Sequence, residues 1–436
     1  MLQRFDTVVR LLVVILVIGA MIYGSRLWRP ICGVGEEELV EYIATKSFDY
    51  FCEERDKSTD LILDSSRSRE ASIAATGFGL GALVVGAEEG WIDHDTAQER
   101  ALRVLDFLTD TNESGMVEPT KSVRGFFFHF LDVQSAERAS HSELSIIDTA
   151  ILVYGALTAG EYFGGSVQER AEALYTAIEW DWFMDEKTGC FFGAWVPEQG
   201  FLDWQWNYYS DEVILMTLLA IASPTHPVPV EAFYSWEREL GAYEGWTIIQ
   251  SWHGGAFTYQ YAHIWLDLRN KVDRDGIDWW KNSRDALLAN RQFCIDNATK
   301  YESYGEDSWG LTACLGPSGY DGDYGALPRG DRKINNDGTV SPAAAIGSIV
   351  FTPDESLSAL SHFCGLRKLW GPYGLRGSFN AQSGWYSPTY FGIEEGITLL
   401  MLANLHSGLI WQYCMKSRYI QQAMQLTGFR NVPEVR

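Results

Sequence analysis

The chain has 436 residues, of which 46% are hydrophobic and 14% aromatic, ample for a large core. Its formal charge of −24 argues against nucleic acid as a partner, because an acidic surface repels phosphate backbones. The 17 Trp, 21 Tyr and 22 Phe are a surplus of rings that suits a neutral ligand with flat apolar faces, of which sugars are one kind.

Residues 1–30 stand apart. Arg4 and Arg10 precede an uncharged apolar run from Leu11 to Ser25, short for a spanning helix of about 20 residues and suited to a signal-peptide core. No small-x-small cleavage site follows, so the expectation is a signal peptide or an uncleaved anchor. Membrane association would run through this segment, with the rest of the chain in the periplasm or cell envelope. One domain is expected over 36–415, with 416–436 as a C-terminal tail.

Helical periodicity predicts helices over 36–55, 71–87, 93–109, 146–163, 166–179, 210–222, 229–240, 257–270, 278–299, 341–350, 354–370 and 393–413, and strand-like alternation is scarce. Even-numbered members such as "IIDTAILVYGALTAGEYF" and "EVILMTLLAIA" are apolar all round, whereas odd ones such as "WWKNSRDALLANRQFCIDN" carry charge on one face. The first kind is buried and the second lies outside. The glycines of "GFGLGALVVG" fall inside the second helix, where small residues permit close helix packing. Links after even helices are short (88–92, 164–166, 223–228, 271–277), and those before them are long (56–70, 110–145, 180–209, 241–256, 300–340, 371–392). Long loops in a compact domain are usually functional. The alternation predicts an all-α fold, an (α/α)6 barrel: a toroid of six helical hairpins with its long loops on one face.

Three inner helices then open on acids at that face: Glu143 and Asp148, Asp211 and Glu212, and Glu394 beside Glu395. Each has a competing structural explanation. Ser145-x-x-Asp148 has the form of a capping box, and first-turn acids after Ser210 complement the helix dipole. Paired carboxylates in an aromatic-lined cleft suit glycoside hydrolysis, one protonated to assist the leaving group and one activating water or attacking the sugar. The catalytic candidates are Glu143, Asp148, Glu212 and Glu394, with Glu212 and Glu394 expected across the bore from each other. Substrate-binding candidates are Asp211, Trp206, Tyr209, Trp252, His253, Tyr259, Trp309, Asn380 and Trp385. The rings lie in long loops, where burial alone does not demand so many. No metal-ligand spacing, C-x-x-C, phosphate loop or dinucleotide fingerprint occurs, so neither metal nor cofactor is expected. The expected state is a monomer.

The stretches "SELSIIDTAIL", "YYSDE", "WGLTACLGPSGY", "LWGPYGLRGSFN" and "ANLHSGLIW" resemble the bacterial glucoamylase-like domain over roughly residues 36–415. That family includes the endo-β-1,2-glucanases of glycoside hydrolase family 144. The resemblance implies an (α/α)6 barrel that cuts linear or cyclic β-1,2-glucan internally to short oligosaccharides such as sophorose, without a cofactor. A related branch, the transglycosylase domain of cyclic β-1,2-glucan synthases, carries glutamates in W-G-I-S-E and Y-G-F-Y-E. The matching stretches here, "WGLTA" and "YGLRG", have Ala313 and Gly377 at those places. The resemblance therefore implies an inverting hydrolase rather than a retaining transglycosylase. Hydrolysis of another glucan, or glycan binding without turnover in the envelope, are the competing expectations.

Overall fold

The computed structural model describes residues 35–110, 121–330 and 332–432. The expected N-terminal signal or anchor lies outside them. The fold is helix-rich. In chain order its helices are α1 (Glu36–Glu53), α2 (Ile73–Glu88), α3 (His94–Thr109), α4 (Ile146–Phe163), α5 (Gly165–Thr176), α6 (Asp211–Ile221), α7 (Tyr261–Trp265), α8 (Trp279–Asp296), α9 (Pro342–Ile346), α10 (Pro353–Gly365), α11 (Gly392–Ser407), α12 (Leu409–Cys414) and α13 (Arg418–Leu426).

Burial follows the hydrophobic pattern. Helices α2, α4, α6 and α11 are buried along most of their length, while α3 and α8 bury one face. Helix α2 packs on α4 and α11, α4 on α6, α6 on α7, and α7 on α11; α9 also packs on α11. The one-sided helices lie against these: α1 on α11, α3 on α2 and α5, α5 on α4, and α10 on α9. Helices α2 and α4 approach through Gly77 and Gly155, as the glycine-rich stretch suggested. A Cβ at Gly155 would lie 2.1 Å from the Gly77 carbonyl oxygen, and one at Gly77 would lie 2.6 Å from that of Ile151.

The sequence pattern misleads at four places. Residues 229–240, expected as a helix, form a 3-10 turn at Val230–Tyr234 and then run extended. Pro229 lacks an N–H, the Arg238 guanidinium stacks on Phe233, Tyr234, Trp236 and Trp279, and Glu237 pairs by its backbone with Asn207 and Tyr209. Tertiary contacts override local propensity here. The helix expected over 257–270 breaks into a 3-10 turn at Ala256–Tyr259 and the short α7. The one expected over 393–413 divides at Gly408, whose φ of 68° caps α11 in the left-handed region that glycine enters without strain. Strands expected to be scarce do occur, as antiparallel ladders of two to four residues inside the long loops, too short to leave an alternating pattern. Beyond residue 416, α13 packs on α6, the Tyr234 hydroxyl donates to the Thr427 carbonyl at 2.6 Å, and Arg430–Asn431 pairs with Lys271–Val272.

Candidate active site

The N-terminal ends of α2, α4, α6, α7, α9 and α11 and the long loops that precede them line one cavity of about 230 Å³. Four carboxyls face it: Asp64, Asp148, Glu212 and Glu394. His129, Gln260, Thr312 and Ser341 add polar groups, and Phe257, Tyr261 and Tyr320 add rings.

Serine caps explain two of the acidic positions. Ser145 accepts from the Asp148 N–H at 3.2 Å, and its hydroxyl donates back to Asp148 Oδ2. Ser210 accepts from the Glu212 N–H at 3.4 Å and donates to Glu212 Oε2 at 2.8 Å. Capping and cavity are thus not alternatives: the cap holds each carboxyl at the mouth of its helix. Burial pushes the Glu212 carboxyl up to about 7, with the charge of Asp148 adding to it and Ser210 and Arg332 opposing. Glu394 is pushed up to about 8 by burial and by Asp64. Its Oε2 is buried without a hydrogen-bond partner, and a Cβ at Gly377 would lie 1.9 Å from it. The absent side chain of "YGLRG" is therefore the space that the Glu394 carboxyl fills.

Glu143 serves differently from the other candidates. It does not line the cavity; its Oε1 lies 2.9 Å from His129 Nδ1, and His129 Nε2 lies 3.5 Å from Asp148 Oδ1. Burial opposes protonation of His129, but Asp148, Glu143 and Asp64 outweigh it and raise the imidazole to about 9. An imidazolium between two carboxylates results, stacked on Phe130 at 4.0 Å. Glu143 in turn is held below the usual carboxylate range by His129.

Most of the expected binding residues are structural, a correction to the sequence reading. Asp211 is fully buried, accepting from the Tyr209 hydroxyl at 2.9 Å and the Ala262 N–H at 3.1 Å, so it ties α6 to α7. Tyr209 is equally buried, stacked on Trp279. The Tyr259 hydroxyl accepts from the Ser251 N–H at 2.7 Å, and His253 Nδ1 accepts from the Gly255 N–H at 3.1 Å. Asn380 spends its amide on Ser383 in its own loop and on Asp337 and Thr339 of the loop before α9. Trp309 is 0% exposed and cannot present a face to a sugar. In each case the loops are thick enough to need a core of their own. Trp309→Ala is therefore expected to cost about 3–5 kcal/mol of stability, read as a lowered Tm, without changing glycan affinity in the folded fraction. Trp385 is half-buried in the hairpin pairing Asn380 with Trp385, and neither it nor Trp206 or Trp252 lines the cavity. Trp206 is buried between Trp204 and Trp252, at 5.3 Å and 5.1 Å between ring centroids, with the Arg332 guanidinium over Trp252. In that ladder Trp204 is 41% exposed and offers the open face.

Two charged cavity residues escaped the sequence reading. Asp64 follows the apolar "LIL" and His129 sits in the ring-rich "FFFHF", both in long loops before an inner helix. An ionisable group interrupting an apolar run in such a loop was the available signal.

Comparison with known proteins places this geometry. Residues 203–418 match the Glycoamylase family model, described as "Putative glucoamylase". Residues 203–418 therefore carry a glucoamylase-like domain. A curated relative of this domain, an exo β-1,2-glucooligosaccharide sophorohydrolase (non-reducing end) of Parabacteroides distasonis, is 26% identical over 89% of this chain. The match spans 58% of that relative's length. Among solved structures, an endo-β-1,2-glucanase from Chitinophaga pinensis in complex with sophorotriose and glucose is 25% identical, with a TM-score of 0.82 over 92% of this chain and 99% of the other. A protein from Bacteroides uniformis, described as a "putative glucoamylase", is 27% identical, with a TM-score of 0.80 over 91% of this chain and 98% of the other. The glucoamylase-like domain of this chain is therefore similar to proteins whose names specify β-1,2-linked glucans.

Proposed function

We propose that the chain is a glycoside hydrolase that cleaves β-1,2-glucan internally, with inversion, on an (α/α)6 toroid. The observation that carries this reading is the set of buried carboxyls at helix starts around one cavity, Glu212 and Glu394 among them. Glu212 and Glu394 are raised to about 7 and about 8, so each can serve as acid or base near neutrality, and the working form in this reading holds its proton on Glu212, the general acid. Glu394 is the general base that activates water: its helix α11 and the α6 of Glu212 both pack on α7, whose Tyr261 lies in the cavity between them. A raised carboxyl is a stronger base once ionised, and a pKa near the working pH suits either role. Inversion is supported by the absence of an acid at Ala313 and Gly377 and by Glu212 and Glu394 opening separate helices, α6 and α11. The toroid reading is supported by the buried helices that pack in succession from α2 through α4, α6, α7 and α11 back to α2. The names of the sophorohydrolase and the glucanase support the linkage. Export through the N-terminal segment belongs to the same reading, resting on the apolar run after Arg10.

A second reading makes Asp148 the base, because His129 stands 3.5 Å from it as a fixed cation. Incubation with linear β-1,2-glucan, β-1,3-glucan and starch, with products resolved by size, tests the substrate. Internal cleavage gives a ladder of β-1,2-oligosaccharides from the first time points. Sophorose as the sole early product would mean exo attack, and turnover of starch alone would remove the linkage assignment.

Gly377 offers a further check. Gly377→Ala drives a Cβ into the Glu394 carboxyl, a flexible side-chain end that can move aside. The expected outcome is an almost unchanged Tm with kcat lowered by at least about tenfold, since small misplacements of reacting groups cost about 10²-fold.

A further inference from the structure

One carboxyl of the cavity has no part in the chemistry above: Asp64. The loop that carries it is fastened to the chain just before Glu394. The Gly392 N–H donates to the Asp64 carbonyl at 2.9 Å, the Ser66 N–H to the Tyr390 carbonyl at 2.9 Å, and the Tyr390 N–H to Ser66 Oγ at 3.1 Å. Ser65 and Phe391 form an isolated antiparallel bridge between these bonds. The two acids are thus registered by backbone, Asp64 accepting a hydrogen bond from Gly392 two residues before Glu394, and their side chains enter the same cavity. At Glu394, Oε2 is orphaned against Gly377, and the Asp64 charge adds to burial against the opposing Phe391 N–H.

We propose that Asp64 is a positioning residue that forms a carboxyl pair with Glu394 and sets the pH range in which the cavity works. This rests on Glu394 being the general base. Like charges in one cavity disfavour each other's ionisation, so the Asp64 charge adds to the burial that already holds a proton on Glu394. Burial and the neighbouring acids Asp148 and Glu70 raise Asp64 to about 6, against the opposing pull of His129; Tyr50 and Tyr320 also face it. Around Glu394 stand Glu395, which is buried with Ser47 and held well above the usual range, and the un-ionised Tyr261, Tyr320 and Cys314. No cation among these groups offsets the Asp64 charge on Glu394.

The test uses the full-length chain, wild type and Asp64→Asn, Asp64→Glu and Glu394→Gln. Infrared difference titration follows the protonated carboxyl that Glu394→Gln removes. In Asp64→Asn its midpoint should fall by about one pH unit or more, a tenfold change in ionisation constant. Asp64→Glu should restore it. The pH optimum for hydrolysis of linear β-1,2-glucan should move to lower pH in Asp64→Asn, because the base ionises sooner while Glu212 is unchanged. An unmoved midpoint in Asp64→Asn, or in Asp64→Ala should the amide variant not fold, overturns the pair. Wild-type chain that never cleaves β-1,2-glucan overturns the functional reading, while the infrared midpoint still decides the pair.

Discussion

Replacing Glu212 by Gln lowers the rate of β-1,2-glucan hydrolysis by about 10²–10⁴-fold, the usual contribution of a general acid, and leaves the fold intact. The amide keeps the shape of the carboxyl and can still accept the Ser210 hydroxyl, so the cap of α6 survives. What disappears is a proton near the glycosidic oxygen, which burial in the first turn of α6 retains up to about pH 7. A residue that only caps a helix would instead cost about 1 kcal/mol of stability with little change in turnover. Initial rates and melting temperatures measured together separate these outcomes. Glu394→Gln should match Glu212→Gln in rate loss. Asp148→Asn falls as far only if Asp148 is the base, which distinguishes the two readings.

The second large effect is on stability, and Glu394 again provides it. Its carboxyl ionises at about 8 in the folded chain against an ordinary value of 4.5. Below 4.5 both folded and unfolded chains hold the proton, and the group is neutral toward folding. Between about 4.5 and 8 the unfolded chain loses it while the folded chain keeps it, so stability falls with rising pH, by at most about 1.4 kcal/mol per unit, and levels off above 8. Gln has no such cost. Glu394→Gln should therefore match wild type in urea midpoint at pH 4.5 and exceed it at pH 8.5 by a few kcal/mol in unfolding free energy. Parallel curves for the two proteins would show that the carboxyl is better solvated than its buried, unpartnered Oε2 implies.

The sequence showed the helices that are uniformly apolar or clearly amphipathic, and α2, α4, α6 and α8 lie within a few residues of their expected spans. It failed where tertiary contacts set the backbone. The Arg238 stack on four rings and the pairing of Glu237 with Asn207 have no local signature, so 229–240 looked helical. At the site, acids at helix starts were visible because Ser145 and Ser210 announce the helix and burial of Asp148, Glu212 and Glu394 follows from the apolar turns behind them. The rings were misjudged because a loop-borne Trp reads the same whether it faces a ligand or fills the loop's own core; Trp309 fills the core. Asp64 and Glu143 show the same limit. Which acid reaches the cavity depends on the bridge from Ser65 to Phe391 and on the contact of His129 with Glu143, both between segments distant or irregular in sequence.

The measurement that bears most directly on this account is proton NMR of the first products released from linear β-1,2-glucan by the full-length chain, recorded before mutarotation equilibrates the new reducing ends. An inverting reaction by Glu212 and a water-activating carboxylate predicts the α-anomer in excess at the earliest times, decaying toward the equilibrium mixture. An initial excess of the β-anomer, or no cleavage of the glucan, would contradict it.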